Sequence, residues 1–507
     1  MSPSPPLLAW VAVFLVAIGM NAPAAAQSAS PSAVPVPPVS ATQLPSPLET
    51  PAPSPSATLP PAGVVPGDVT VALGGIVSPA FATARVRASI LRGAHLTPGA
   101  TLTVSGVTIA NTLRAGDSTE ALARVTIAAG GSYADVTATT AVHLSVETLP
   151  QLEPAFLFYS DDPEKLTAAD DGVLYKNSID LTRAARVYAY HVTETAGRRV
   201  FLALQASSEA HVQVLGYAAG PADEYGYVGH VTTLQYLLER GTQESFIADV
   251  APGAPFLQPL GYRPMNPNEL IAAIFDLRVL DGGPVEVEVV AASGATDPAT
   301  LLGGDELPGD GHGRRGEFSL LGVPPLALSY AAGDPEPSPV AVGNPIVANV
   351  RTGGHALGGD YGLIRSVTLA LSNPGGTPQA LYLYEQPTAG YVTTTLWFTG
   401  DPRPTEVPCV HDPADRYQVR SFALDAGASL SVTGEYMTDG ASSYPLSFGL
   451  TAVPPSPPPG PYSPDACNPR TPPPATPAPA TPAPDGSAPS PAPDTTPPVP
   501  SPAPSGT

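Results

Sequence analysis

The chain has 507 residues, of which 44 are acidic and 22 are basic, so its net charge at pH 7 is -22. This charge repels a polyanion at long range, and the sequence holds no basic stripe to offset the repulsion. Nucleic acid is therefore excluded as an expected partner.

The N-terminus has the pattern of an export signal. An apolar run from Leu7 to Met20 is followed by the small residues Ala24 to Ala26, which suit the h-region and the cleavage site of a signal peptide. The run is shorter than the roughly 20 residues that cross a bilayer. Residues 1–26 are predicted to be a signal peptide cleaved near Ala26, although Met1 to Pro6 lacks the usual Lys or Arg. The expected location is secreted or in the cell envelope, with no membrane span after cleavage.

Two segments rich in proline frame the chain, at residues 27–66 and 454–507. Proline lacks an amide donor and fixes its φ angle, so such segments form neither helices nor sheet ladders. We expect both to be disordered linkers. They act either as extended polyproline spacers or as disordered chain with no spacing task.

Residues 67–150 are predicted to form a first β-sandwich domain. From Arg85 to Ile90 charged or polar and apolar residues alternate, with Val86, Ala88 and Ile90 on the apolar side, a pattern typical of a strand with one buried face. Further strands are predicted around Leu102 and Val104 and at Ala123–Ile127, Tyr133–Thr140 and Val142–Val146.

Residues 151–293 are predicted to form a second β-sandwich. One helix is expected within it, from Val228 to Arg240, because Val231, Leu234, Leu237 and Leu238 share one helical face. Residues 294–335 are rich in Gly and Pro and are predicted to be a long connection. The predicted strands are Ala155–Tyr159, Arg186–Val192, Arg199–Gln205, His211–Tyr217, Phe246–Val250, Ile271–Val279 and Val285–Val290.

Residues 336–453 are predicted to form a third β-sandwich that repeats the second. Ser245–Asp249 parallels Ser421–Asp425, and the pair Phe275 and Leu277 parallels Phe448 and Leu450 in the same order. Such self-similarity indicates a duplication. The alternative is chance, because hairpins with glycine turns look alike.

A strand ending in Leu-Ala-Leu-Ser-Asn373 before Pro-Gly-Gly, and a Leu424-Asp-Ala-Gly427 turn before a new strand, resemble the Ig-like β-sandwich modules of bacterial secreted and adhesion proteins. The resemblance covers residues 151–453. It implies a scaffold for binding or spacing, with no catalytic residues to carry over. The predicted fold class is all-β, with tandem Ig-like β-sandwich domains between disordered proline-rich segments.

Cys409 and Cys467 are the two cysteines, and in an oxidising compartment they are expected to form a disulfide. Two thiols or an intermolecular bridge are the alternatives. No zinc-ligand spacing accompanies either residue.

The sequence shows no catalytic motif. Gly311–Gly316 fits GxGxxG, but no strand ends before it, and the segment around Gly440–Tyr444 breaks the GxSxG pattern at its last position. No cofactor is expected and no metal site is assigned. Two acidic clusters are expected to be solvated loops that keep the protein soluble, and a calcium site is the alternative because calcium prefers such oxygen ligands. They are Asp161, Asp162, Glu164, Asp170 and Asp171 in one, and Asp305, Glu306 and Asp310 in the other.

Aromatic residues carry the binding hypothesis. Strand alternation in the run Tyr391–Phe398 places Tyr391 and Trp397 on the face opposite Val392, Leu396 and Phe398. If the second face is core, the two aromatic rings point outward, where sugar rings stack on such faces. The alternative packs Trp397 under the Cys409 loop or a neighbouring domain.

A second aromatic group, Tyr217, Tyr225 and Tyr227, lies in a Gly-rich loop before the predicted helix. Loop tyrosines are common at binding surfaces. The sequence therefore predicts an exported, non-enzymatic surface or matrix protein that binds a glycan or protein. The alternatives are a secreted polysaccharide hydrolase with an unlocated carboxylate pair and a purely structural spacer.

Overall fold

The computed structural model describes residues 59–311, 314–351, 353, 356–388, 390–411 and 413–457. The predicted signal peptide, most of both proline-rich segments and Cys467 lie outside these residues. Leu59–Thr507 cluster as one unit, and the described part of it is mostly β-strand.

Within the described residues, the strands and the two α-helices occur along the chain in the following order. The first part of the chain contains β1 (Gly63–Val64), β2 (Asp68–Gly74), α1 (Pro79–Gly93), β3 (His95–Leu96), β4 (Thr101–Ser105), β5 (Ser118–Ala128) and β6 (Val136–Glu147). The central part contains β7 (Phe156–Ser160), β8 (Lys165–Leu166), β9 (Gly172–Ile179), β10 (Ala185–Thr193), β11 (Arg199–Ala206), β12 (Ala210–Ala222), α2 (Tyr225–Thr242), β13 (Ser245–Val250), β14 (Phe256–Pro259), β15 (Leu270–Gly282) and β16 (Val285–Ala292). The last part contains β17 (Arg315–Ser319), β18 (Leu326–Ala331), β19 (Val340–Val342), β20 (Ile364–Ser372), β21 (Gln379–Pro387), β22 (Val392–Phe398), β23 (Thr405–Val410), β24 (Tyr417–Leu424), β25 (Ser429–Thr438) and β26 (Leu446–Thr451).

One large sheet runs through the first and central parts, in the order β17-β7-β10-β15-β12-β13-β2-β6-β5-β4, with β8 beside β10. The join is the short antiparallel pair in which Ser245 and Phe246 of β13 face Gly74 and Leu73 of β2. The predicted boundary at residue 150 therefore falls inside a continuous sheet. Residues 67–150 extend that sheet rather than forming a sandwich of their own.

The prediction of a strand at Arg85–Ile90 is wrong, because these residues lie in α1. Ser78 caps the helix by accepting a hydrogen bond from the amide of Phe81 at 3.2 Å, and proline occupies its first turn, where a missing amide costs nothing. The buried residues are Ala82, Val86 and Ile90, spaced four apart as a helical face requires. Val86 and Ile90 satisfy both a period of two and a helical period, so the alternation alone did not separate them.

The other helix and the strands predicted by name are largely confirmed. The helix predicted at Val228–Arg240 is α2, which begins three residues earlier and ends two residues later. The strands predicted at Tyr133–Thr140 and Val142–Val146 are one strand, β6. The predicted connection at 294–335 is wrong in part, because β17 joins the large sheet and β18 pairs in parallel with β20.

The proline-rich segments are also partly folded at their inner ends. Gly63 and Val64 pair with Leu96 and His95, and the amide of Ser456 donates to the carbonyl of Arg416 at 2.9 Å. Residues between prolines keep their amide donors, so they can pair although the prolines cannot.

The central part of the large sheet packs against a four-stranded sheet, β14-β11-β16-β9, around a shared apolar core. A second pair of sheets, β18-β20-β25-β22-β23 and β19-β26-β21-β24, encloses its own core. Both pairs contain an equivalent antiparallel order, β10-β15-β12-β13 in one and β19-β26-β21-β24 in the other. Each order has an insertion in the same hairpin, α2 in the first and β22–β23 in the second. This shared order is what a duplication would leave.

Helix α2 lies between the two pairs of sheets and contacts β12, β15 and β22. A third apolar cluster fills this layer and includes Tyr236 and Leu237 of α2, Ile274 of β15 and Met437 of β25. No helix within the described residues combines the length and the apolarity that crossing a bilayer would require.

The backbones of Gly229 in α2 and Gly440 approach each other closely in this layer. A Cβ atom at Gly229 would overlap the carbonyl oxygen and the Cα atom of Gly440. We therefore expect Gly229→Ala to lower the free energy of unfolding by about 2 kcal/mol or more, the usual cost of overpacking, in urea denaturation. Gly376→Ala is the control, because a Cβ atom there meets nothing within 4 Å, and we expect its change to stay within about 1 kcal/mol. Equal effects of the two substitutions would contradict the packing described.

Candidate functional site

The candidate site is a cleft of about 620 Å³ beside α1, which we call the tyrosine cleft. It forms where β12 continues past β13, whose pairing with β12 ends at Val214. Helix α1 forms one wall, the first turns of α2 form another, and β14 with the loop after it forms the third. The residues that line it are Arg85, Ala88, Leu91, Arg92, Gly216–Gly220, Tyr227, Val231, Leu257–Tyr262 and Phe275.

Three tyrosines give the cleft its aromatic surface. Tyr262 is 78% exposed and Tyr227 is 44% exposed, while Tyr217 is half-buried. Leu91 of α1 adds an apolar side chain that is 54% exposed. Large apolar and aromatic side chains grouped at one concave surface are typical of a ligand site.

Two arginines of α1 line the same cleft. The guanidinium of Arg85 lies 4.6 Å from the centre of the Phe246 ring, and that of Arg92 lies 4.4 Å from the centre of the Phe256 ring. Contacts of this length are cation–π interactions. Both arginines also border a smaller cleft of about 440 Å³, which His211, Asp249 and Asp281 line.

Glu239 of α2 lies near Tyr217 and accepts a hydrogen bond from the amide of Gly216. Burial is the main cause that raises the pKa of this carboxyl to about 8; Arg85 opposes the rise and Glu244 adds to it. Burial penalises the charged form of a carboxyl. The Glu239 side chain is therefore mostly protonated at neutral pH.

The structure brings together only some of the residues that the sequence selected. Tyr217 and Tyr227 line the tyrosine cleft, whereas Tyr225 turns away from it and donates a hydrogen bond to the carbonyl of Asn268 at 3.0 Å. Burial and the nearby Tyr225 raise the pKa of Tyr391 to about 12. Tyr225 and Tyr391 therefore lie near each other, and neither is among the residues that line the tyrosine cleft.

Trp397 is half-buried and packs against Gly241 of α2. Its indole Nε1 donates a hydrogen bond to the carbonyl of Asp401 at 3.0 Å. Its ring lines a third cleft of about 570 Å³, together with Arg240 and Glu435. Thr393 and Thr395, which share its predicted outward side, are fully buried, because α2 covers that side of β22.

Cys409 lies on β23 and is 5% exposed. Its predicted disulfide partner, Cys467, lies outside the described residues, so the disulfide stays a prediction.

The acidic loops are engaged by the protein's own donors. Arg314 pairs with Asp161 at 3.3 Å and with Glu164 at 2.9 Å, and Arg351 pairs with Glu306 at 2.7 Å. Among the described residues, no group of three or more His, Cys, Asp and Glu side chains is arranged to hold a metal ion.

Ser160 and His191 form a serine–histidine contact of the kind found in hydrolases, which no motif in the sequence indicates. The Oγ atom of Ser160 lies 3.0 Å from Nε2 of His191, whose Nδ1 lies 3.0 Å from the carbonyl oxygen of Pro163. Both side chains are fully buried, so no substrate can reach the serine. Burial lowers the pKa of His191 to about 4, and the pair is a satisfied core contact.

Sequence reasoning also missed Tyr262, Leu91, Arg85 and Arg92 as members of a site. Tyr262 stands alone in a loop with no pattern around it. The three residues of α1 could have been grouped from the helical spacing of Ala82, Val86 and Ile90, which places Arg85 and Arg92 together beside that buried face.

Comparisons with known proteins leave the class of protein open. No known family profile matches the chain, and no curated protein matches it in sequence. Similar solved structures include tripeptidyl peptidase 2, with 9% identity over 70% of this chain and 30% of that one and a TM-score of 0.15. Another is the M60 catalytic domain with two CBM51 domains of ZmpB from Clostridium perfringens, with 8% identity over 77% and 46% and a TM-score of 0.17. A third is Lac15 from a marine microbial metagenome, with 9% identity over 74% and 94% and a TM-score of 0.12. Scores this low carry no argument about fold or function.

The raised pKa of Glu239 has a measurable consequence. Between pH 4.5 and 8 the unfolded chain loses this proton while the folded chain keeps it, so this group's contribution to stability falls as pH rises through that window. We expect Glu239→Gln, which is neutral at every pH, to gain stability relative to the unchanged protein by at least about 1 kcal/mol between pH 5 and pH 8. Urea denaturation at the two pH values measures it. Glu120→Gln, at an exposed site on β5, is the control, and an identical pH dependence of both variants would show that Glu239 is ordinarily ionised.

Proposed function

We propose that this protein is an exported, non-enzymatic surface or matrix protein whose tyrosine cleft binds a glycan. The observation that carries the proposal is the exposure of Tyr227 and Tyr262 on one concave surface. The guanidinium of Arg263 lies 5.3 Å from the centre of the Tyr262 ring, and most of the Tyr262 side chain remains exposed. Burying exposed aromatic surface against a sugar ring removes apolar area from water, which favours binding.

The polar groups of the cleft suit the hydroxyls of a sugar. The phenol groups of the tyrosines donate and accept hydrogen bonds, and the side chain of Gln258 offers both a donor and an acceptor. A few polar groups on a mainly apolar surface are the usual composition of a ligand site. Half-buried Tyr217 adds a third ring whose position is already fixed by packing.

Binding suits this cleft better than hydrolysis. None of the described residues that line it is acidic, whereas glycoside hydrolysis generally requires two carboxyl groups facing the scissile bond. The carboxyl of Glu239 lies behind the wall and is mostly protonated at neutral pH. The cleft therefore has surfaces for holding a sugar and lacks the pair of acids for cleaving one.

Export and the class of module are part of the same proposal. The apolar run at Leu7–Met20 supports secretion, and the two pairs of packed sheets support a relation to Ig-like adhesion modules. The proline-rich segments would then hold the folded part away from a surface. A protein ligand at the same cleft is the alternative outcome of the binding test below.

We expect Tyr262→Ala and Tyr227→Ala each to weaken glycan binding by about ten-fold, since each removes one stacking surface worth roughly 1 to 1.5 kcal/mol. The purified protein is screened on a glycan array, and the affinity for the best glycan is measured by calorimetry. Trp397→Ala is the matched control, because Trp397 lines a different cleft.

If only Trp397→Ala lost binding, the glycan site would lie in the cleft that Trp397 lines and not in the tyrosine cleft. An array on which no glycan binds would contradict the proposal.

A further inference from the structure

Arg85 and Arg92 are seven residues apart on α1, which is close to two helical turns, so both side chains project from the same side of the helix. Each guanidinium lies over a phenylalanine ring, Arg85 over Phe246 and Arg92 over Phe256. The rings fix the guanidinium groups at the wall of the tyrosine cleft, which both residues line.

These two arginines differ from most other arginines of the described residues. Arg186, Arg263 and Arg314 form ion pairs at 2.7 to 2.9 Å with Asp276, Glu269 and Glu164. Within the described residues, Arg85 and Arg92 take part in none of the ion pairs, and the buried Nε of Arg85 has no hydrogen-bond partner. In a chain with twice as many acidic as basic residues, two adjacent unpaired guanidiniums need an explanation.

The charges around the pair do not cancel it. Burial lowers the pKa of Arg92, and the nearby charge of Arg85 lowers it further, which shows that the two cations repel each other. Glu239 is the carboxyl group that raises the pKa of Arg85, and it is itself mostly neutral at pH 7. Asp249, which lines the smaller cleft, raises the pKa of Arg92. In that cleft His211 lies 3.6 Å from Asp249 and 2.6 Å from Asp281. The side that faces the tyrosines is left positive.

We infer that the ligand of the tyrosine cleft is an acidic glycan, whose carboxylate or sulfate groups accept hydrogen bonds from Arg85 and Arg92 while its sugar rings stack on Tyr227 and Tyr262. This inference rests on the proposed function and specifies its ligand class. A guanidinium presents donors in a planar fork that matches a carboxylate or sulfate. Neither guanidinium forms an ion pair with a carboxylate of the described residues, so its donors can serve an anion in the cleft.

The same arrangement explains how an acidic protein holds an acidic ligand. The net charge of -22 repels an anion at long range, but local contacts within a partly dehydrated cleft outweigh it because they are much shorter. Association should therefore be slow at low ionic strength and faster once salt screens the long-range repulsion, because the short contacts in the cleft are screened much less.

The test compares polymers that share a backbone and differ in charge. The purified protein is titrated with polygalacturonate and with its fully methyl-esterified form, and separately with dextran sulfate and dextran. We expect the charged member of at least one pair to bind at least ten-fold more tightly. A difference in affinity within the polygalacturonate pair would show that the cleft binds carboxylates, and a difference within the dextran pair would show that it binds sulfates.

Arg92→Gln is the main variant, because Arg92 lies at the exposed end of α1 and its removal leaves the apolar face of the helix intact. It should weaken binding of the charged polymer about ten-fold and leave binding of the neutral one unchanged. Arg87→Gln, on an exposed position of the same helix outside the cleft, is the charge-matched control. Arg85→Gln is a second variant, read only after circular dichroism shows a folded protein.

Equal binding of the charged and neutral polymers, with Arg92→Gln behaving as Arg87→Gln does, would overturn this inference and leave the glycan proposal standing. Equal losses in Arg92→Gln and Arg87→Gln would show a general effect of charge and would also overturn it. Failure of every charged and neutral polymer, together with an empty glycan array, would remove the proposed function itself.

Discussion

A buried ionic contact under α2 is the interaction on which the rest of the structure depends. The Nε of Arg186 on β10 donates a hydrogen bond to Asp276 on β15 at 2.7 Å, and the hydroxyl of Tyr236 on α2 donates to the same carboxylate at 2.8 Å. A second nitrogen of Arg186 reaches the carbonyl of Gly362 at 2.8 Å, in the segment that leads into β20. Burial opposes ionisation of Arg186, but Asp276 and Tyr236 outweigh it and raise its pKa. Removing Arg186 or Asp276 would leave the buried charge of the other without its ion-pair partner, which costs several kcal/mol. His230 adds a second buried link from α2, to Asp439 at 2.6 Å.

This contact positions the candidate site indirectly. It places α2 on the large sheet, and the first turns of α2 then carry Tyr227 and Val231 to the end of β12. The opposite wall comes from α1, which packs on the same sheet through Val86 and Ile90. The cleft exists because β12 extends beyond the end of its pairing with β13 at Val214. The edge of β12 that is left unpaired there is not covered completely by either helix. Rigid helices and strands, rather than loops alone, therefore hold most of the aromatic and cationic groups.

The strands and α2 could be predicted because burial on one face leaves a period in the sequence, as in Val285–Val290 or Leu234 and Leu237. The helix α1 could not, because Val86 and Ile90 fit both a strand period and a helical period, so the alternation alone does not exclude a strand. Tyr217 and Tyr227 were selected as ligand contacts, and the structure brings them to one cleft. Trp397 was placed outward by alternation, which cannot show that α2 covers that side of the strand. The continuity of the large sheet across residue 150 depends on the two-residue pairing of β13 with β2, and no local pattern encodes such a pairing.

We expect α2 and its buried contacts to make the described residues a single cooperative unit, although the sequence suggests three separate domains. Differential scanning calorimetry of the purified protein distinguishes the two cases. We expect one transition whose calorimetric enthalpy equals its van't Hoff enthalpy, as a two-state unit requires. Two or three resolved transitions, or a calorimetric enthalpy well above the van't Hoff value, would contradict it and would show that the sheets on either side of α2 unfold independently.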